Sequence, residues 1–284
     1  MSEISAESCL KVMFELVQEG GGIALSLING NRSSLKPDNS VITETDLKIS
    51  ALAARKLSPF IKSGRHVLID EEDPRRGEYL DDAFLDAHPF VWSLDPIDAT
   101  RAYANRIPYY GISIGLMKER RPWLGMVFFP SLNELFYCDG DAAYFVKDAF
   151  TPAQVKTKIV PVDEELSNRS VFIATDDILS KFEWKETDCR VIILAAAVCE
   201  FCWPAIGRGC GSLAKVHFWD LAGSWPIFLK AGLNLYAFSD GKPLEFLDTA
   251  AFERGEAPWK LKDYYFLSSE RNLPFFRQRL TRKS

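Results

Sequence analysis

Leu10, Met13, Phe14 and Val17 recur at helical spacing and predict an opening helix. The cluster Gly20, Gly21 and Gly22 is expected to kink or end it. It follows a helix rather than a strand, so it does not suit a dinucleotide or P-loop turn. Residues 29–40 are polar and read as a loop. Ile49, Leu52, Ala53 and Phe60 share one face of a second helix over residues 45–60. Residues 67–69 form a short apolar strand that ends in Asp70-Glu71-Glu72-Asp73. Residues 90–94 form another, ending at Asp95, with a charged surface excursion between the two. From residue 111 to 146, alternating positions and short turns predict an antiparallel meander. The polar stretch 151–170 is the expected boundary between an N-terminal lobe (1–155) and a C-terminal lobe (156–284) of one compact unit. In the second lobe, strand 171–174 precedes a helix over 192–206 and an extended run over 213–218. A helix starting at Asp220, strands at 233–238 and 264–267, and a last helix complete the chain.

Composition narrows the functional classes. The 284 residues suffice for one large core or two closely packed lobes. Hydrophobic residues make up 47% and charged residues 26%, the balance of a globular protein. The longest apolar runs are too short to span a bilayer, and residues 1–8 lack a basic stretch before an apolar one. No membrane partner and a cytoplasmic location are therefore expected. A net charge of −5 argues against binding a nucleic acid polymer by bulk electrostatics. Arg277, Arg279, Arg282 and Lys283 read as the solvated end of a terminal helix. An anionic substrate would need local help from metal ions or helix N-termini. Of the six cysteines, Cys199 and Cys202 have CxxC spacing, with Cys210 and His217 as the only further zinc candidates nearby. They sit in an apolar run, where cysteine behaves as a small hydrophobe.

The acidic residues have a common placement. Glu71 and Glu72 follow a strand, Asp95 and Asp98 follow another, and Asp46 and Asp220 open helices. Element ends are where a rigid scaffold presents functional groups. In Asp95-Pro96-Ile97-Asp98-Ala99-Thr100 the proline fixes the chain between two carboxylates and places the Ile97 carbonyl as a third oxygen. Hard divalent cations take such oxygen ligands and leave room for water and phosphate. Carboxylates crowded this way repel one another unless cations neutralise them. Thr100 adds a hydroxyl at a helix start, which suits a phosphate oxygen. Taken singly, each acid has a plain alternative: Asp98 or Asp220 as an N-cap, Glu71-Glu72 as a solvated turn.

The combination resembles the inositol monophosphatase family of lithium-sensitive phosphatases. Residues 95–100 are similar to its Asp-Pro-Ile/Leu-Asp-Gly-Thr signature, preceded by Trp92. Residues 107–115 resemble the strand that follows it. Val41-Ile42-Thr43-Glu44-Thr45-Asp46 resembles the upstream motif, with Lys36 placed as in many members. Ile69-Asp70-Glu71-Glu72-Asp73-Pro74 and Trp219-Asp220-Leu221-Ala222-Gly223 resemble two more motifs, in the family's order. The resemblance implies a layered α-β-α-β-α sandwich of the α+β or α/β type, shared with fructose-1,6-bisphosphatase. It implies a phosphoric monoester hydrolase in which Glu71, Asp95, the Ile97 carbonyl, Asp98 and Asp220 bind two to three Mg²⁺ ions. Asp46 and Thr100, with Glu71, would serve catalysis by orienting and activating water, and the Ala99 and Thr100 N–H groups would hold phosphate. Lithium sensitivity belongs to the same implication. The substrate class is a small inositol, sugar, polyol or nucleotide phosphate, and a homodimer is compatible with the aromatic-rich composition.

Departures from the pattern bear on specificity. Ala99 replaces a glycine. A helical Ala99 would be tolerated, whereas a positive φ there would cost about 1 kcal/mol or more; the helical conformation is the expected one. Arg101 is a new cation, placed to contact substrate or to pair with a surface carboxylate. Lys215 and His217 approach Asp220 and could face the leaving group or a second phosphate. Lys230 stands where an acid is common, and Leu213 lies where inositol-specific members carry an acid. Two alternatives stay open. One is a 3′(2′),5′-bisphosphate nucleotidase, suggested by residues 36–40 and 71–74. The other is a catalytically silent binding or regulatory member.

Overall fold

The computed structural model describes residues 5–30, 33–36, 40–162, 165–185 and 189–283. Part of the 36–40 motif, residues 37–39, lies outside them. Two sheets organise the chain. The larger has seven strands in the order His66–Asp70, Phe90–Asp98, Gly111–Lys118, Arg121–Phe129, Glu134–Cys138, Ala143–Lys147 and Val155–Lys158. Its first pair is parallel, and every later pair is antiparallel, as the meander pattern predicts. This sheet runs past residue 155 to Lys158. The smaller sheet has five strands in the order Arg190–Ile193, Val171–Ala174, Gly211–Ala214, Tyr265–Ser268 and Asn234–Ala237.

Burial sorts the elements into five layers. Helices Ala6–Leu27 and Glu44–Ile61 cover one face of the larger sheet. There Leu16, Ile49 and Leu57 meet Trp92, Ile112 and Met126. Its other face packs on a middle layer of short helices, Ala197–Cys202, Phe218–Ala222 and Trp225–Lys230. Phe201, Leu221 and Trp225 share that core with Val91 and Phe129 above and with Leu235 and Leu267 of the smaller sheet below. Asp177–Lys181 and Leu273–Arg279 close the far face around Phe172, Phe266 and Phe276. The result is the expected α-β-α-β-α sandwich. Among the described residues, no helix is long and apolar enough to cross a membrane.

Several expectations are corrected. The first helix runs unbroken through Gly20, Gly21 and Gly22. A Cβ on Gly21 would lie 2.4 Å from Phe128, so the glycine lets the helix approach the sheet. The run expected as one helix over 192–206 is split into strand Arg190–Ile193, helix Ala197–Cys202 and a 3₁₀ turn, Pro204–Ile206. Ala195, with φ of 50°, breaks it. The last helix stops at Arg279, and Leu280–Arg282 forms a strand against Phe182–Trp184, so Arg282 is not at a helix end.

Two glycines fix the gap between the larger sheet and the middle layer. A Cβ on Gly115 would sit 2.3 Å from the Ala222 carbonyl oxygen, and one on Gly125 would sit 2.2 Å from the Gly223 oxygen. Both obstacles are backbone, which cannot rotate away. Gly115→Ala should therefore destabilise the protein by about 1–3 kcal/mol, the usual range for overpacking. Thermal unfolding checks this: an unchanged melting temperature would mean that the middle layer is free to shift.

Candidate functional site

The site begins with an irregularity in strand Phe90–Asp98. Asp95 pairs with Ser113 and Asp98 with Gly111, so three steps on one strand oppose two on the other. In a regular strand, residues three apart point to opposite faces. The extra residue, a β-bulge, returns Asp98 to the face of Asp95. Burial agrees: Val91 faces the middle layer, while Ile97 joins the core on the opposite face with Trp92 and Leu94. Pro96, which has no N–H to donate, suits a bulge. The sequence ends the strand at Asp95; it instead continues to Asp98.

Asp220 comes from the middle layer. It is the third residue of helix Phe218–Ala222 and accepts the His217 backbone N–H at 2.8 Å. The His217 ring stacks on Trp219 at 4.6 Å, which accounts for that side chain structurally. Asp95, Asp98 and Asp220 offer oxygens that all lie within 4.8 Å of one another. Asp95 and Asp98 are buried, and Asp95 Oδ1 has no hydrogen-bond partner. Burial, together with the charges of Glu71, Asp98 and Asp220, pushes the Asp95 carboxyl well above the usual range. Asp98 is raised for like reasons, burial first and then Asp220. The donors are all hard oxygens, crowded and largely buried, with Asp220 opening onto a cavity, and they fit a divalent cation.

The remaining candidates surround this cluster. The Glu71 backbone N–H donates to Leu94, which ties its strand end to the bulged strand. Its carboxylate pairs with Lys36 at 2.8 Å, and Lys36 also holds Glu72 at 2.7 Å. The Thr100 hydroxyl donates to the Ile97 carbonyl at 3.0 Å. Asp46 is fully buried at the third position of helix Glu44–Ile61, where Oδ2 accepts the Thr43 N–H at 2.8 Å and the Thr43 hydroxyl. Burial raises its carboxyl to about 7. Glu71, Asp98, Thr100, Arg101, Lys215 and Asp220 line one cavity of about 560 Å³, whereas Asp46 lies outside its wall. Lys215 is taken up by Glu253 at 2.7 Å. Arg101 is exposed on the cavity rim.

Ala99 is a correction. It is not helical but left-handed, with φ of 62° and ψ of 47°, and it caps the helix Thr100–Ala104. Two further features escaped the sequence. The Val198 N–H donates to Asp98 Oδ2 at 2.9 Å, so Asp98 anchors the start of helix Ala197–Cys202. Glu200 of that helix, hidden between the CxxC cysteines, lines the same cavity. Its signal was an acid inside an apolar run. Cys199 and Cys202 are buried free thiols.

A profile of the inositol monophosphatase family matches residues 5–265. The chain belongs to this family. It is 30% identical over 153 residues to a histidinol-phosphatase of Chlorobaculum parvum, a match covering 51% of this chain and 52% of that protein. It is 22% identical over 252 residues to a protein of Salmonella typhimurium named 3′(2′),5′-bisphosphate nucleotidase CysQ, covering 86% of this chain and 96% of that one. The chain thus spans about half the length of some curated relatives, the histidinol-phosphatase among them. Among solved structures, the IMPase of Thermotoga maritima superposes with a TM-score of 0.70 at 18% identity, covering 95% of each chain. That likeness supports the family fold.

Two outcomes follow from the site. In buffer containing a chelator, Asp95→Asn should raise the melting temperature, because it removes one of the crowded charges and keeps the shape. A lower melting temperature would contradict the repulsion. Ala99→Gly should be neutral or stabilise by up to about 1 kcal/mol, as relief of the left-handed strain is offset by chain entropy. Equilibrium denaturation measures it, and a clear loss of stability would count against the strained conformation.

Proposed function

We propose that this chain is a Mg²⁺-dependent hydrolase of a small phosphomonoester. The observation that carries the reading is the meeting of Asp95, Asp98 and Asp220 within 4.8 Å, with Asp95 Oδ1 buried and without a partner. These three, with Glu71 and the Ile97 carbonyl, would hold two to three ions. When bound, such cations supply Lewis acidity, lowering the pKa of water and offsetting charge on the phosphate. The chain's own groups do the positioning. The N–H groups of Ala99 and Thr100 would take a phosphate oxygen. The Thr100 hydroxyl, braced on Ile97, would orient the attacking water, with the buried Asp46 carboxyl set behind the cavity wall rather than in contact with that water. Lys36 holds Glu71 at the rim.

A second reading, a bisphosphate substrate, is favoured by Arg101 and Lys260. Both line the cavity, and neither is in an ion pair among the described residues. Two cations beyond the carboxylate cluster would accommodate a second anionic group on the substrate.

The test is phosphate release in Mg²⁺ from inositol 1-phosphate, a sugar phosphate, histidinol phosphate and adenosine 3′,5′-bisphosphate, assayed side by side. Asp98→Asn keeps an oxygen for the Val198 N–H and should fold, yet lose on the order of 10²–10³-fold in turnover, as when a group that stabilises transition-state charge is removed. Unchanged turnover in that variant would sink the assignment. No turnover on any ester, with ligand binding retained without Mg²⁺, would favour a silent family member.

A further inference from the structure

Glu200 stands on helix Ala197–Cys202 and is 2% exposed. Its neighbours on that helix, Ala197, Val198, Cys199, Phe201 and Cys202, are all buried and apolar. Packing of the helix therefore does not call for a carboxylate at this position. Burial first, and then the charges of Asp98, Asp220 and Asp176, push the Glu200 carboxyl well above the usual range, while the Ala196 backbone N–H favours the charged form. No side-chain cation pairs with it among the described residues. A buried carboxylate left this way is costly and is retained where a ligand completes it. Glu200 is not part of the three-acid cluster. It borders the same cavity, whose wall beyond that cluster includes Leu194, Ala195, Val216 and Lys260, together with Asp176. With phosphate at the acidic end, the alcohol portion of an ester would occupy this remaining space.

We propose that Glu200 determines leaving-group specificity, its carboxyl accepting a hydrogen bond from an O–H or N–H donor on the alcohol portion of the ester. This rests on the phosphatase reading above. The substrates it selects are polyol or amino-alcohol phosphates rather than esters of alcohols without a donor. Glu200 binds; it takes no part in cleaving the bond.

Two variants test it, Glu200→Met, which removes the acceptor at similar volume, and Glu200→Gln, which keeps an oxygen but no charge. Both are assayed on inositol 1-phosphate, histidinol phosphate and p-nitrophenyl phosphate, whose leaving group carries no hydrogen-bond donor once the ester is formed. Glu200→Met should lower kcat/KM for a donor-bearing ester at least tenfold more than for p-nitrophenyl phosphate, mainly through KM. Glu200→Gln tells the donors apart: a hydroxyl still finds its acceptor, whereas an ammonium, whose charge would draw the buried carboxyl back to its ionised form, loses that counter-charge. An equal loss on all three esters, or no loss, would overturn the inference. Failure of the unmodified protein to hydrolyse even p-nitrophenyl phosphate would instead overturn the phosphatase reading itself.

Discussion

One extra residue in a β-strand sets the geometry on which the rest of the site depends. Without the bulge at Pro96-Ile97, Asp95 and Asp98 would point into different layers of the sandwich. With it, both carboxylates enter the middle layer, and Ile97 turns away into the opposite core. The bulge thus satisfies two demands at once. It aims the acids and keeps the apolar pattern of the strand in register with its neighbours.

The middle layer then has to come close enough to answer. Gly115 and Gly125 let the backbone around Ala222 and Gly223 lie almost against the sheet, and this brings Asp220 within reach of Asp95 and Asp98. Asp98 anchors the layer from the other side by accepting the Val198 N–H. The carboxylates so gathered repel one another in a buried setting, which is why the cluster is chemically capable and structurally expensive. Lys36 relieves part of that repulsion at the rim by bridging Glu71 and Glu72.

Much of this was legible in the sequence, for reasons that differ by element. The meander from Gly111 to Lys147 falls into short apolar runs separated by short turns, and the helix Glu44–Ile61 has a clear apolar face. The Gly20–Gly22 cluster misled because glycine's local preference was overridden by packing against Phe128. The run from Val191 to Ile206 misled because an apolar edge strand and a buried helix look alike in sequence when nearly every position is apolar. The acids were found together through the order of their motifs, since residues 71, 95–98 and 220 share no local spacing. Ala99's left-handed backbone could not be read from an alanine. Glu200 was masked by the cysteines on either side.

The dispersal of the cluster along the chain has a kinetic consequence. Strand ends near residues 71 and 98 must meet a helix that begins at Phe218, so the site is closed only by contacts of long sequence separation, which form late. Whatever binds there recognises the finished sandwich and none of its parts. Bound ligand should then act chiefly by slowing the escape from the native state, leaving the rate of reaching it nearly untouched.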